Sequence, residues 1–375
     1  MPRKIQEALD GWDSRRSTEL YGINAWSNGY FNITSDGHVA VKLRNSNGAV
    51  NVKLWEIIQG LGERGMRLPL LLRFSDLLGS RMALINECFQ RSIDEYSYQN
   101  VYRGVYPVKV NQQQQAVRDV VSFGAAYHHG LEVGSKAELI IALATLRDPE
   151  AFLVCNGYKD AEFIDLALSS LKMGLQTMLV IETPDEFSLI NERARLMGVK
   201  PRLGLRVKLS SRAGGKWTES GGDRSVFGLT ARQAIEVGDQ MREQGMLDNL
   251  EMLHYHVGSQ IPNIRDIRVA IAEAARVYVG LCQEGARMGV LDIGGGLAID
   301  YDGSRTNFPS SANYGVAEYC ADVVEGILQV CVQAGVPHPI IISESGRALI
   351  GYYSVLLMNV LDTARLSVNE LPSNL

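Results

Sequence analysis

The chain has 375 residues, of which 46% are hydrophobic and 21% charged, and its 37 basic and 42 acidic side chains give a formal charge of −5. A chain of this length and composition can bury a large core, which excludes bulk disorder and a collagen-like structure. There is no polybasic stretch and no apolar run of the roughly 18 residues that a membrane span needs. We therefore expect a globular protein without nucleic-acid or membrane partners.

The N-terminal residues and the cysteines indicate the compartment. The first 16 residues contain no apolar core and no small-residue cleavage site, so they do not form a secretory signal. The five cysteines are scattered without a CxxC pair. This usage is typical of free thiols in a reducing environment, and we expect a cytoplasmic protein.

Residues 1–99 are predicted to form an N-terminal segment of mixed structure. Residues 1–20 are polar and indicate a loose helix or tail, whereas residues 21–58 have the character of strands. Thr34-Ser35-Asp36-Gly37 is a turn signal between two apolar runs. Apolar residues at helical spacing then predict a helix over 75–96, with Ser75 as its N-cap.

From residue 100 the pattern changes to short apolar runs that alternate with amphipathic stretches of 12 or more residues. The predicted strands are 102–108, 130–133, 152–155, 177–181, 203–207, 252–257, 290–293 and 340–343. Eight strands separated by helices predict a parallel (β/α)8 TIM barrel of the alanine racemase-like type over 100–348. A doubly wound open sheet is the structural alternative.

Residues 349–375 begin with an apolar run at 352–358 that indicates another strand. We expect this strand and the strands of 21–58 to belong to a β-domain that is mostly missing, so that the chain is truncated.

In a TIM barrel the active site lies at the C-terminal ends of the strands, where this sequence places several reactive side chains. Lys109 follows the first strand, where a solvated terminus and a desolvated amine of depressed pKa are both open interpretations. Glu132 lies inside an apolar strand and needs a partner. Ser135 and Glu138 fit a capping box and need no function.

The ends of the sixth, seventh and eighth strands carry histidines, glycines and charged residues. Alternation places His254 and His256 on one face, where a metal pair is conceivable, but no carboxylate or cysteine stands nearby at metal-ligand spacing. Gly294-Gly295-Gly296 can expose backbone amides to a phosphate. Glu344 and Arg347 leave the last strand beside that loop. Pyridoxal phosphate is the cofactor that suits this set of groups, which comprises an amine, an imidazole, a loop able to bind phosphate and an acid. A Schiff-base aldolase that acts on a phosphosugar is an alternative function.

Several stretches resemble the fold-type-III pyridoxal phosphate decarboxylases, and among them the biosynthetic arginine decarboxylases. They are YGINAWSNGYFNIT (21–34), YPVKVNQQ (106–113), GLEVGSKAEL (130–139), GGKWTESGGDRSVFGL (214–229), HYHVGSQI (254–261), LDIGGGLAIDYDGS (291–304) and ISESGRAL (342–349). The resemblance implies that Lys109 binds the cofactor as a Schiff base, that His256 stacks on its ring and that Glu344 contacts the ring nitrogen. It implies cofactor contacts from Lys109, Glu132, Glu138, Arg206, His256, Ser259, Gly294, Gly295, Gly296, Glu344, Gly346 and Arg347. It implies substrate contacts from Leu291, Asp292, Ile293, Gly294, Gly295, Gly296, Leu297, Ala298, Ile299, Asp300 and Tyr301.

The resemblance also implies an activity, the decarboxylation of L-arginine to agmatine and carbon dioxide, which feeds polyamine (putrescine and spermidine) synthesis. A carboxylate at the ring nitrogen favours a decarboxylase over a racemase on the same barrel. The resemblance further implies Mg²⁺ and a homo-oligomer, either a dimer or a tetramer of dimers. It also implies a C-terminal β-domain that supplies a catalytic cysteine, an adjacent acid and a tyrosine. The alternatives are an ornithine, lysine or diaminopimelate decarboxylase, or a non-catalytic fragment that binds the cofactor.

Overall fold

The structure, a computed structural model, describes residues 11–45, 48–211 and 225–364. Residues 1–10, 46–47 and 365–375 lie outside the described part, as do residues 212–224, which include most of the glycine-rich stretch 214–229 named above.

Eight parallel strands form a closed barrel, in which each strand pairs with the next along the chain and the last pairs with the first. The barrel strands are β5 (Tyr102–Pro107), β6 (Gly130–Val133), β7 (Phe152–Cys155), β8 (Gln176–Ile181), β9 (Leu203–Val207), β10 (Leu250–Tyr255), β11 (Val290–Asp292) and β12 (Ile340–Glu344). Glu344 of β12 lies opposite Val105 of β5, which closes the ring. The predicted barrel is confirmed, and the open-sheet alternative is wrong.

Helices alternate with the barrel strands along the chain and surround the barrel. They are α4 (Ser75–Glu95), α5 (Gln114–Gly124), α6 (Lys136–Thr145), α7 (Ala161–Lys172), α8 (Pro184–Met197), α9 (Ala231–Glu243), α10 (Ile264–Gln283) and α11 (Val316–Ala334). Strands buried on both faces consist of nearly continuous apolar runs, and β7 is buried at all four positions. None of the helices in the described ranges combines the length and the apolar character that crossing a bilayer requires.

One helix begins differently from the prediction. Phe74, rather than Ser75, is the N-cap of α4. Ser75 Oγ instead donates a hydrogen bond to Asp119 Oδ2 at 2.6 Å, which ties α4 to α5. A tertiary partner has replaced the local capping role.

The N-terminal segment contains more helix than expected. It comprises α1 (Ser14–Leu20), α2 (Ile23–Trp26), β1 (Phe31–Ile33), β2 (Val39–Asn45), β3 (Gly48–Lys53), α3 (Leu54–Glu63) and β4 (Leu70–Arg73). The prediction of strand character throughout 21–58 is therefore wrong at both ends. The strands form an antiparallel sheet in which β2 lies in the centre and pairs with both β1 and β3. The predicted turn, with Gly37 at positive φ, joins β1 to β2.

The predicted strand near residue 352 is present as β13 (Ser354–Leu357), which follows a short helix α12 (Arg347–Ile350). It pairs antiparallel with β4, placing Val355 opposite Leu72. Two segments separated by the entire barrel sequence therefore form one small sheet, a pairing that local sequence patterns did not reveal.

Candidate active site

A cavity of about 550 Å³ opens at the C-terminal ends of the barrel strands. Its walls include Lys109, His256, Gly295, Glu344 and Arg347, which come from four different strand ends. The structure therefore brings together side chains that are separated by more than 200 residues in the sequence.

Lys109 lies in a single 3₁₀ turn, Val108–Val110, directly after β5. Its Nζ donates to Glu132 Oε2 at 2.9 Å, and the side chain remains 57% exposed while the Glu132 side chain is fully buried. Partial loss of hydration disfavours the ammonium, but the Glu132 and Glu344 carboxylates outweigh it and raise the pKa of Lys109. The interpretation of a depressed pKa is therefore wrong for this state, because a carboxylate holds the charge.

Glu132 and Glu344 share one donor. Nδ2 of Asn156, the residue after β7, lies 3.0 Å from Glu132 Oε1 and 2.7 Å from Glu344 Oε1. Asn156 is 4% exposed, and its Oδ1 has no hydrogen-bond partner among the described residues. A continuous polar path thus runs from the Lys109 amine to the acid on β12.

A second acid and a histidine lie beside Glu344. His254 Nδ1 lies 3.1 Å from Asp292 Oδ2 and 3.7 Å from Glu344 Oε1, and all three side chains are buried. Burial raises the pKa of Asp292 to about 8, raises the pKa of Glu344, and lowers the pKa of His254. The expectation that no carboxylate accompanies His254 is wrong, because three strands converge here.

The same three residues form a group whose potential metal-ligand atoms lie within 4.8 Å of one another. Magnesium prefers oxygen ligands and retains several waters, whereas this group includes an imidazole and is buried. These residues therefore do not fit the Mg²⁺ that the resemblance implies.

The glycine loop after β11 requires the absence of side chains at two positions. Gly294 has φ of 63°, and a Cβ there would lie 2.3 Å from the Tyr255 carbonyl oxygen. Gly296 has φ of 122°, and its Cβ would lie 2.6 Å from Ile261 Cδ1. Gly295 N donates to His256 Nδ1 at 3.3 Å, which fixes the imidazole against the loop. Burial lowers the pKa of His256 to about 3, so the ring is neutral and able to accept this bond.

Arg347 faces this loop from the start of α12. Its Nη2 donates to Ser259 Oγ at 3.4 Å and its Nη1 to the Tyr301 hydroxyl at 3.2 Å. Its buried Nε finds no hydrogen-bond partner in the described part of the chain. A guanidinium donor without an acceptor, a serine hydroxyl and a glycine loop are the groups that bind a phosphate. Gly346 contributes space, since a Cβ there would lie 2.5 Å from Val110 Cγ2.

Glu138 and Arg206 support the site from the adjacent loops. Glu138 N donates to Ser135 Oγ at 3.3 Å, as in a capping box, but Glu138 Oε2 accepts from Gly134 N rather than from Ser135. Arg206 Nη1 donates to Glu182 Oε2 at 3.0 Å, and its guanidinium lies over the Phe227 ring. The ion-pair partner of Arg206 is thus Glu182, which the sequence analysis did not identify.

The segment 291–301 contributes to the cavity with only part of its length. Gly295, Gly296, Leu297 and Tyr301 line it. Leu291 and Ile293 are buried in the hydrophobic core, and Ala298 and Ile299 are buried under the loop. Asp292 Oδ1 accepts from Gly294 N, and Asp300 accepts from Ser311 Oγ. Packing and loop hydrogen bonds occupy these other six residues in this structure, and substrate contact along the entire segment stays a prediction.

Sequence reasoning missed a turn that supports the site. It contains Asn156, Gly157 with φ of 72°, and Lys159, whose buried amine donates to Gly157 O at 2.6 Å and lies 3.4 Å from Glu186. Gly157 N donates to Glu182 Oε1 at 2.6 Å. The available signal was the position of Asn156 and Lys159 just beyond a buried strand, at the catalytic end of the barrel.

A closed barrel with a lysine, an anion cradle and a buried acid at one end defines a protein that binds a phosphorylated, amine-reactive ligand. Comparison with known proteins identifies the group. The sequence model of the pyridoxal-dependent decarboxylase family, pyridoxal binding domain, matches residues 82–351. The chain belongs to this family.

Two relatives refine the similarity. The chain is 46% identical over 362 residues to the biosynthetic arginine decarboxylase of Gloeobacter violaceus, a match that covers 96% of this chain and 56% of that protein. The crystal structure of the biosynthetic arginine decarboxylase from Campylobacter jejuni has 34% identity and a TM-score of 0.80, covering 90% of this chain and 54% of that one. The chain thus spans about half the length of these relatives.

A more distant structure shares the fold. Diaminopimelate decarboxylase from Helicobacter pylori, solved with L-lysine, has 21% identity and a TM-score of 0.64 over 80% of this chain.

Proposed function

We propose that the protein decarboxylates L-arginine to agmatine and carbon dioxide with pyridoxal phosphate as cofactor. The observation that carries this is that Lys109, Glu344 and Arg347 line one cavity at the C-terminal ends of the barrel strands. The arginine decarboxylases of G. violaceus and C. jejuni support the choice of substrate.

The residues present fit the cofactor. Lys109 would bind its aldehyde, Arg347, Ser259, Gly346 and the glycine loop would hold its phosphate, and His256 would stack on its ring. When bound, pyridoxal phosphate accepts the electron pair released as the carboxylate leaves. Glu132 holds the Lys109 amine and can take its proton at Oε2, because the two atoms are already 2.9 Å apart.

Glu344 separates the proposed decarboxylase from a racemase. A carboxylate at the ring nitrogen keeps a proton there and favours electron withdrawal toward the ring. Leu297 and Tyr301 lie on the cavity wall and are the members of the glycine-loop segment best placed to meet the substrate. Glu138 and Arg206 would support the cofactor edge through Gly134 and Glu182.

We further propose a cytoplasmic homo-oligomer that supplies agmatine to polyamine synthesis. The free state of the five cysteines is consistent with a reducing compartment. The domain division into 1–99, 100–348 and 349–375 also belongs to this proposal. Magnesium has no step in it, since the buried histidine and acids do not suit that ion.

Borohydride reduction tests the proposal directly. The chain mixed with pyridoxal phosphate should gain an absorbance near the visible edge, which reduction fixes onto the peptide that contains Lys109. Lys109→Arg should abolish labelling, and Lys172→Arg should retain it, because Lys172 lies at the C-terminal end of α7, where its amine donates to Met197 O. Labelling of another lysine while Lys109 stays unmodified would refute the assignment.

The substrate requires a separate assay. Carbon dioxide release should be measured from arginine, ornithine, lysine and diaminopimelate, on this chain and on the product of the whole reading frame that contains it. Release from arginine alone supports the proposal. Preference for another substrate favours a related decarboxylase, and labelling without any release favours a protein that only binds the cofactor.

A further inference from the structure

Asn156 is the one residue that contacts both carboxylates flanking the proposed cofactor position, as far as the described residues extend. The backbone of Asn156 is already occupied, since its N–H donates to Val133 O at 2.8 Å. The side chain is therefore not needed to form the turn after β7. Its amide nitrogen instead donates hydrogen bonds to the two acids.

The orientation of this amide follows from chemistry. A carboxyl oxygen that carries no proton accepts hydrogen bonds, so the atom between Glu132 Oε1 and Glu344 Oε1 is the amide nitrogen, which carries two hydrogens. The buried Oδ1 consequently points away and has no partner in the described residues. A polar atom without a partner at a buried site shows that the amide is placed for its nitrogen.

The two acids need a neutral donor between them. Burial, together with the nearby Asp292 and Glu132 carboxylates, raises the pKa of Glu344. A lysine or arginine here would neutralise the acids outright. An amide stabilises each carboxylate with one hydrogen bond and adds no charge, which leaves Glu132 free to pair with Lys109.

We infer that Asn156 is a positioning residue that fixes Glu132 and Glu344 with one hydrogen bond each, so that one carboxyl group meets the lysine amine and the other meets the nitrogen of the cofactor ring. This role rests on the proposed function. It predicts that changes at Asn156 alter the charge on Lys109 and the affinity for the cofactor, rather than stability alone.

The test uses Asn156→Ala, the near-isosteric Asn156→Asp and the control Asn249→Ala. Asn249 is also buried but lies before β10, at the opposite end of the barrel. Asn156→Ala should weaken pyridoxal phosphate binding about tenfold, as expected for the loss of hydrogen bonds to charged groups. Asn249→Ala should lower the unfolding midpoint and leave this affinity within twofold of the original chain. Unchanged affinity in Asn156→Ala would overturn the inference.

A cofactor-free measurement separates this inference from the proposed function. The pKa of Lys109 can be followed by NMR after reductive ¹³C-methylation, with Lys109→Arg assigning the signal. Asn156→Asp adds a carboxylate and should raise this pKa whatever the role of Asn156, so it is the positive control. Asn156→Ala frees Glu132 from its hydrogen bond and should lower this pKa by at least about 0.5 unit, whether or not the cofactor binds, because the carboxylate is no longer held against the amine. A purely structural role would leave it unmoved, and that result would refute the inference. Failure of the original chain to label Lys109 would instead refute the proposed function.

Discussion

Lys109 Nζ and Glu132 Oε2 lie 2.9 Å apart at the mouth of the barrel, although 23 residues separate them in the chain. The pair exists because β5 and β6 are parallel neighbours, with Pro107 opposite Glu132. It places an exposed amine on a fully buried carboxylate. The amine is thereby held in position before any ligand arrives.

Replacing Glu344 with glutamine should impair turnover more than cofactor binding. Glutamine has a similar shape but cannot stabilise a proton on the ring nitrogen with a full charge. We expect kcat to fall roughly 100-fold, about 3 kcal/mol, with a much smaller change in cofactor affinity. Steady-state decarboxylation and cofactor titration measure the two effects. The control is Glu251→Gln, which should retain the full rate because Glu251 lies near the start of β10, at the end of the barrel away from the cavity. Loss of cofactor with normal turnover at saturation would contradict this prediction.

Arg347→Gln should lower affinity for pyridoxal phosphate but not for pyridoxal. Arg347 lines the same cavity as Gly295 and Gly296, and its Nε has no partner among the described residues, so the substitution should remove charge-assisted hydrogen bonds to a phosphate. We expect a loss of about 10- to 100-fold. Equilibrium binding of the two compounds provides the comparison, since pyridoxal lacks the phosphate. An equal loss for both would show that Arg347 does not contact that group.

Asp292→Asn should flatten the dependence of stability on pH. The pKa of Asp292 is about 8 in the folded chain and 3.8 for the ordinary group, because burial disfavours its charge. The folded state therefore binds an extra proton between these values, and its stability falls as pH rises from about 4 to 8. The slope approaches about 1.4 kcal/mol per pH unit for one proton.

Urea unfolding of the cofactor-free chain at pH 5 and pH 8 checks this. Asparagine resembles the protonated acid and still accepts from Gly294 N, so the variant should exceed the stability of the original chain by a small amount at pH 5 and by a much larger amount at pH 8. Asp302→Asn is the control. Hydrogen bonds from Ser304 lower the pKa of Asp302 to about 2, so it should not affect the slope between pH 5 and 8. An undiminished slope in Asp292→Asn would disprove the assignment.

Gly157→Ala should destabilise the chain more than Gly198→Ala. Both glycines have positive φ, but a Cβ at Gly157 would lie 2.4 Å from Gly134 O, whereas nothing lies within 4 Å at Gly198. We expect a loss of about 1 kcal/mol at Gly198 and at least about 3 kcal/mol at Gly157, where the backbone must move. Unfolding free energies measure the difference. Cofactor affinity should fall only for Gly157→Ala, because the neighbouring Asn156 would shift, and equal effects at the two sites would refute this.

The sequence by itself determined the class of fold and indicated the candidate site residues at the strand ends. Eight apolar runs at regular intervals reported the barrel, because strands covered on both faces contain few polar residues. Lys109, Glu344 and Arg347 stood out because they follow such runs, and strand ends are where barrels place chemistry. These signals are local, so they can be recognised without knowing which strands are neighbours.

Only the tertiary structure decided which of those residues interact. The pairing of β4 with β13, the ion pair of Arg206 with Glu182 and the convergence of His254, Asp292 and Glu344 each join distant segments. Asn156 gives the sharpest case, since an asparagine after a strand ordinarily indicates a turn. Its contact with two acids depends on closure of the barrel. Closure brings Glu132 of β6 and Glu344 of β12 within hydrogen-bond distance of the residue that follows β7. The charge on Lys109 was likewise decided by its neighbours, because the carboxylates outweigh the cost of burial.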